Sequence, residues 1–197
     1  MKKNIIKISF ILLLILPATA FAGVPLDTVK GYADKVLDIL SDPSLKADSA
    51  DDRRKEKIRV IAAKMFDFSE LSRRTLARNW RKFNPDQQKE FIMLYQSLLE
   101  DAYTNKIMSF TDEKIVFNKE IPLTDKTTEV QSVVMRRNDE LPIYYRVILK
   151  NGEWRVYDVV IEGVSLINNY RTQFREILIN ETPESLLKTL REKTDKS

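Results

Sequence analysis

The chain has 197 residues, a formal charge of +4 and neither histidine nor cysteine. The absence of both residue types removes the commonest general base, the best side-chain nucleophile and the commonest metal ligands, and it excludes a disulfide framework. Three lysines within the first seven residues carry most of the excess charge, which leaves little for a strongly basic nucleic-acid-binding face.

The first 22 residues have the pattern of a secretory signal peptide. A basic start is followed by the apolar run of residues 8–16, and the segment Ala20-Phe21-Ala22 has the small-x-small form of a cleavage site. The apolar run is too short to cross a bilayer, which needs about 20 apolar residues. We therefore predict a signal peptide over residues 1–22 and one mature domain over residues 23–197.

The next part of the chain has a helical period. Apolar residues recur at the spacing of one helix face in residues 26–40, 51–66, 69–80 and 84–110. The last of these segments has the strongest start, because Asn84 can cap, Pro85 suits the first helical position and Gln87 can reach back in a capping box. We predict four helices in this half and a polar loop over residues 44–52.

After residue 109 the apolar period changes from helical to two. Alternation over residues 115–121, 128–134, 143–149 and 153–162 predicts four antiparallel strands in a meander. Asn151-Gly152 predicts a two-residue hairpin turn between the last two strands, because both residues accept positive φ. Two further helices are predicted to follow Gly163. Helices, an antiparallel sheet and helices again form an α+β pattern.

The apolar stripes of the sheet and of the helices are predicted to face each other. A twisted sheet with helices on one face has a concave side, and such a wall either closes into a solid core or leaves a cavity. The pattern alone favours the solid core, because protein interiors are normally close-packed.

Few residues offer catalytic chemistry. Asp158 and Glu162 share a strand face and could form an acid–base pair, but strand carboxylates are more often solvated or salt-bridged. Ser165 lacks the second glycine of a nucleophile elbow and better suits a helix cap. Basic clusters at residues 53–55, 73–82 and 136–137 are typical of a solvated surface, and together they could form a docking face. We predict that the protein is not an enzyme.

The C-terminal half contains the segment WRVYDVVIEGVSL, which starts at Trp154, followed by Asn169-Tyr170-Arg171 and Gln173-Phe174. This segment resembles the signature of the MlaC family, the periplasmic phospholipid-binding proteins of the lipid-asymmetry, or toluene-tolerance, transport system. Ala77 is a departure, because the family pattern has glycine at this place. The helical half also fits the family at Phe66-Asp67-Phe68, Leu76, Trp80, Gln88, Phe91, Leu98 and Tyr103.

The resemblance implies a four-stranded antiparallel sheet wrapped by helices, cystatin-like or nuclear-transport-factor-like, with an apolar cavity for phospholipid acyl chains. It implies no catalytic residue and no cofactor. The small excess charge outside the predicted signal peptide leads us to expect no nucleic acid as a partner. The resemblance also implies a periplasmic monomer that carries lipid between an inner-membrane ABC transporter with a lipid-transfer domain and an outer-membrane lipoprotein–porin complex. Two alternatives stay open: a periplasmic interaction or chaperone module with a solid core, and an isomerase-like enzyme on the same fold.

Together with the two-residue strand period, the resemblance directs the acyl chains to one face of the last hairpin. Val164 at the corner between sheet and helix and Asn168 one helical turn further on would complete the cavity. Leu98 and Tyr103 of the long helix would oppose the hairpin. We predict no metal site. The strand residues of this predicted lipid-binding face are Ile143, Tyr145, Val147, Leu149, Tyr157, Val159 and Ile161.

Release of a buried lipid requires an opening. Gly163 is a candidate hinge between sheet and helix, and it equally fits a residue that only relieves a tight turn. The arginines of residues 73–81 offer a basic face on the helical side, where a partner could dock.

Overall fold

The computed structural model describes residues 25–110, 113–137 and 139–195. The predicted signal peptide lies outside the described residues. Within these ranges, none of the helices has both the length and the apolar character that crossing a bilayer requires.

Six helices flank the sheet in the described part of the chain, four before it and two after it, as predicted. The capping box is confirmed: Asn84 accepts from the backbone N–H groups of Asp86 and Gln87, and the Gln87 side chain accepts from the Asn84 N–H. Ser165 caps the fifth helix by accepting from the Asn168 N–H at 3.2 Å. The helices are α1 (Pro25–Ser41), α2 (Asp51–Met65), α3 (Phe68–Leu76), α4 (Pro85–Met108), α5 (Leu166–Asn180) and α6 (Pro183–Thr194).

The predicted loop between α1 and α2 contains two short 3-10 turns, Pro43–Leu45 and Asp48–Ala50. The first turn forms because the Asp42 side chain accepts from the Ser44 N–H at 2.8 Å, and it buries Leu45 to 2% exposure. A third 3-10 segment, Ala77–Lys82, follows α3 directly and replaces the last turn of the helix predicted there.

The sheet is antiparallel and has the predicted meander order, with each strand paired to the next along the chain. Asn151 and Gly152 have φ of 54° and 82°, as the predicted hairpin turn requires. The described sheet has five strands instead of the four predicted, because Glu162 and Gly163 (φ 49° and 81°) turn the chain back onto the sheet edge. The strands are β1 (Lys114–Thr124), β2 (Thr127–Met135), β3 (Glu140–Lys150), β4 (Glu153–Ile161) and β5 (Val164–Ser165).

A bulge in β4 changes the face on which one predicted site residue lies. Arg146 of β3 pairs with Asp158, and the next residue, Val147, pairs with Val156, so Tyr157 is an extra residue in β4. A bulge breaks the alternation of faces along its strand. The prediction that Tyr157 shares a face with Val159 and Ile161 is therefore wrong.

A second bulge, at Asn118 of β1, has the same effect. Phe117 pairs with Ser132 and Lys119 with Gln131 of β2, so the strand changes phase between them. Ile121, which the two-residue period groups with Phe117, turns to the opposite face. Glu120 comes instead onto the face of Phe117.

Among the described residues, the core consists of two clusters. One lies between the sheet and the pair α1 and α2, and it contains Val29, Met65 and Val147. The other lies among α3, α4, α5 and α6 and includes Tyr157 from the sheet. Phe66 packs against both clusters where α2 meets α3, and the adjacent Asp67 backbone N–H donates to the β4 carbonyl of Val156 at 2.9 Å.

Candidate functional site

One face of the sheet is apolar across strands β1 to β4, and we call it the apolar sheet face. Cross-strand pairs place Val130 opposite Tyr145, Ser132 opposite Ile143, and Tyr145 opposite Val159. Val130 and Val147 are fully buried. The strand residues of the apolar sheet face are Phe117, Val130, Ser132, Ile143, Tyr145, Val147, Trp154, Val156, Val159 and Ile161.

Tyr145 and Ser132 are two of the polar side chains that lie on this face. Burial raises the pKa of Tyr145 to about 12, and a hydrogen bond with Ser132 opposes the rise. Ser132 Oγ itself donates to the Ile143 carbonyl at 2.8 Å. The tyrosine hydroxyl is therefore neutral at physiological pH and adds no charge to the apolar face.

Helix α1 covers the apolar sheet face. Val29 packs against the sheet with 1% of its surface exposed, and Leu26 and Tyr32 pack beside it. The carboxylate of Glu120 in β1 accepts from the Leu26 backbone N–H at 2.9 Å. Because a helix leaves its first N–H groups without intrahelical partners, this carboxylate takes the part of an N-terminal cap.

The structure brings together five of the predicted strand residues. Ile143, Tyr145, Val147, Val159 and Ile161 lie on the apolar sheet face in one cluster. Leu149 continues this face at the turn end of the hairpin, where it pairs with Trp154.

Three predicted residues belong to the helical cluster instead. Tyr157 packs in the helical cluster because of the bulge in β4, and Leu98 and Tyr103 pack against that same cluster. Helix α4 makes its main contacts with α6, α2 and α3, so these two side chains do not oppose the apolar face of the hairpin as predicted. Their placement makes them part of the helical core.

Val164 lies in the edge strand β5, and Asn168 lies in the first turn of α5. Val164 pairs with Ile161 and extends the apolar sheet face outward, with 60% of its surface exposed. Asn168 lies on the other side of the sheet, where it lines a pocket with Arg146 and Asp158. The two residues therefore do not share a cavity wall.

Sequence reasoning did not assign several residues of this site. The alternation in β2 predicts that Val130 and Ser132 share a face. The sequence does not show that this face continues onto the last hairpin, because that depends on the order of the strands in the sheet. Val29 follows the helical period of α1, yet its partner surface depends on the tertiary fold. Trp154 and Val156 reach the face only through the bulge at Tyr157.

The candidate acid–base pair is absent, because the two carboxylates are separated. Asp158 is 2% exposed and accepts from Ser165 Oγ at 2.7 Å, the Ile167 N–H at 3.1 Å and Arg146 Nη1 at 3.2 Å. Glu162 is exposed in the turn after β4. Asp158 thus holds the start of α5 against the sheet. Over the described ranges, no three acidic side chains form a group that could hold a metal ion.

Comparison with known proteins gives one family. A family model described as MlaC protein matches residues 30–192. An intermembrane phospholipid transport system binding protein MlaC of Haemophilus influenzae is 24% identical over 119 residues, which cover 58% of this chain and 56% of that protein. The match therefore spans little more than half of that relative's length. The toluene tolerance protein ttg2D of Pseudomonas putida is 23% identical over 162 residues, which cover 81% of this chain and 75% of that protein.

A solved structure has the same fold. The phospholipid-binding protein from Ralstonia solanacearum, in complex with a phospholipid, aligns with a TM-score of 0.79 and 23% identity, and the alignment covers 88% of this chain and 98% of the other. The α+β architecture with an antiparallel sheet is therefore shared with a protein that binds a phospholipid.

Proposed function

Since the chain belongs to the MlaC family, we propose that it is a periplasmic carrier that binds a phospholipid by its acyl chains and moves it between membranes. The observation that carries the proposal is the apolar sheet face, which continues across four strands and reaches the exposed Val164 at the sheet edge. The names of the two relatives and the phospholipid bound by the structural relative support the same reading.

The energetics of acyl chains favour such a face. Each buried CH₂ group contributes about 0.8 kcal/mol, so a chain of about 16 carbons gains on the order of 10 kcal/mol before ordering costs. Val130 and Val147 are fully buried against neighbouring side chains, so hydrocarbon requires additional space at this face. We place the opening between α1 and the sheet, because α1 is the element that covers the face.

A carrier of this kind needs no reactive group. The sequence has neither histidine nor cysteine, and the buried carboxylate of Asp158 already has three hydrogen-bond donors. The proposal therefore includes no catalysis. Its partners would be an inner-membrane ABC transporter with a lipid-transfer domain and an outer-membrane lipoprotein–porin complex, and the predicted signal peptide would direct the chain to the periplasm between them.

The test is the phospholipid content of purified variants. Val164→Glu places a charge on the exposed edge of the apolar sheet face, where it should not disturb folding, and Val147→Glu places one at its buried centre. A carboxylate beside hydrocarbon is costly to desolvate, so we expect each variant to retain about tenfold less phospholipid than the wild type.

Val116→Glu is the matched control, because Val116 is 47% exposed on the opposite side of β1. It should retain the wild-type amount of lipid. Circular dichroism identifies any variant that has unfolded. If folded Val164→Glu and Val147→Glu both keep a full load of lipid, the acyl chains do not bind at this face. An interaction or chaperone module with a solid core would contain no phospholipid in any of the three variants or in the wild type.

A further inference from the structure

A concave site lies on the face of the sheet opposite to the apolar sheet face. It is a pocket of about 450 Å³ between α3, the β3–β4 hairpin and the start of α5. Its wall is basic, with four guanidinium groups and one carboxylate among nine lining residues. The residues that line this arginine pocket are Arg73, Arg74, Ala77, Arg146, Tyr157, Asp158, Ile167, Asn168 and Arg171.

Each of the four guanidinium groups is held in place by a neighbour. Glu70 accepts from Arg73 Nε at 2.9 Å and from Arg74 Nε at 2.6 Å, and the Arg74 guanidinium lies 4.0 Å from the centre of the Tyr157 ring. Burial acts to raise the pKa of Glu70, but hydrogen bonds from the two arginines lower it below its ordinary value. This carboxylate therefore stays ionised and keeps both guanidinium groups oriented.

The other two arginines are anchored from the sheet and from α5. Arg146 donates to Glu129 at 3.2 Å and to Asp158 at 3.2 Å. Arg171 donates to the Asn168 side chain at 3.0 Å and to the Arg74 carbonyl at 2.8 Å, which joins α5 to α3.

These anchors leave donors unused. Among the hydrogen bonds of the described residues, none involves Nη1 of Arg73, either Nη of Arg74, or Nη2 of Arg146. Nε of Arg171 is buried and has no hydrogen-bond partner. A buried N–H group without a partner is uncommon in folded proteins, because its lost hydration is not replaced.

The carboxylates around the pocket do not use these donors. Asp158 already accepts from Ser165, Ile167 and Arg146. Glu70 accepts from Arg73 and Arg74. Glu129 accepts from Arg146. Four guanidinium groups against three carboxylates leave one net positive charge in the cluster, which a singly charged anion would neutralise.

We propose that the arginine pocket binds a phosphate-class oxyanion. Its unused donors come from three elements, α3, β3 and α5. A planar carboxylate is already satisfied by one guanidinium fork, whereas a tetrahedral anion has further acceptor oxygens for the remaining donors. The pocket lies on the opposite sheet face from the acyl-chain site, so the proposal stands independently of the lipid-carrier function. The phosphate could belong to a lipid headgroup or to a free anion.

The test is a titration of the mature protein with two probes in chloride buffer. Inorganic phosphate represents the free anion, and sn-glycero-3-phosphoethanolamine represents a headgroup without acyl chains. Calorimetry gives the affinities, and ¹⁵N NMR of the arginine Nε–H groups reports which guanidinium groups bind. We expect saturable binding of at least one probe, together with a shifted Arg171 Nε–H signal. The probe that binds with the higher affinity shows whether the pocket takes a lipid headgroup or a free phosphate.

Arg74→Gln removes two of the unused donors and should weaken binding about tenfold or more, as expected for the loss of a charge-assisted hydrogen bond. Arg73→Gln provides a second variant at a side chain that is 54% exposed, in case Arg74→Gln unfolds. Arg53→Gln is the control, because Arg53 is an exposed residue of α2 outside the pocket. The proposal is overturned if neither probe binds saturably, or if Arg53→Gln weakens binding as much as the pocket variants do.

Discussion

Ala77 has φ 49° and ψ −122°, a backbone conformation that glycine adopts readily and alanine only with strain. It ends α3, and its N–H donates to the Arg73 carbonyl. The resemblance to the MlaC family leads us to expect glycine at this place. The departure in sequence thus coincides with a backbone conformation that suits glycine.

We expect Ala77→Gly to stabilise the protein. Release of the strain is worth about 1–3 kcal/mol, and the greater freedom of glycine in the unfolded chain costs about 0.5–1 kcal/mol. A net gain of about 1 kcal/mol should raise Tm by about 2–4 °C in thermal unfolding. Ala63→Gly, at an exposed position inside α2, is the control and should lower Tm instead. If Ala77→Gly has a lower Tm than the wild type, the backbone at Ala77 is not strained.

At the same scale, the bulges at Asn118 and Tyr157 limit what the sequence could predict. The two-residue period correctly groups Ile143, Tyr145, Val147 and Leu149, because β3 has no extra residue. It fails at Tyr157, since an apolar residue in a bulge looks like any other member of an apolar run. The bulge becomes visible only when pairing with β3 places Asp158 opposite Arg146.

Helix α1 packs across the apolar sheet face, where we propose the opening. The sequence predicts the helix and its buried stripe from periodicity alone. The surface that receives Val29 depends on the position of β1 and β2, which no local pattern encodes. The bond from the Leu26 N–H to Glu120 could not be predicted either, because the bulge at Asn118 turns Glu120 toward α1.

Glu120→Ala should loosen this helix. Loss of one hydrogen bond to a charged group costs about 1.5–3 kcal/mol, so hydrogen exchange in the first turns of α1 should become about tenfold faster or more. Mass-spectrometric exchange measures this directly. Glu153→Ala, at an exposed residue of β4 that pairs with Arg155, should leave α1 exchange unchanged. Equal exchange of α1 in wild type and Glu120→Ala would show that the carboxylate does not hold the helix.

The turn at Gly163 has a defined conformation with φ of 81°, and a Cβ there would contact nothing within 4 Å. The positive φ explains why glycine suits this tight turn between β4 and β5. A hinge at Gly163 stays a prediction, whereas the opening that we propose lies between α1 and the apolar sheet face. Proline is unsuitable as a probe of this hinge, because its ring restricts φ to about −65°.

At the scale of the whole molecule, the two faces of the sheet differ in character. The apolar sheet face meets α1 and α2, while the opposite face presents Glu129, Arg146 and Asp158 to the helices α3 and α5. The order of helices and strands and the α+β class could be predicted from periodicity. The division into an apolar site and an arginine pocket could not, because it depends on which strands pair and where the bulges lie.

The central claim is that the protein carries phospholipid, and native mass spectrometry of wild-type protein purified without detergent tests it most directly. The account predicts a main species heavier than the polypeptide by the mass of one or more phospholipids, with the added mass lost under denaturing conditions and identified as phospholipid in the extract. A protein that repeatedly shows only the polypeptide mass, and that takes up no lipid from added vesicles, would contradict it.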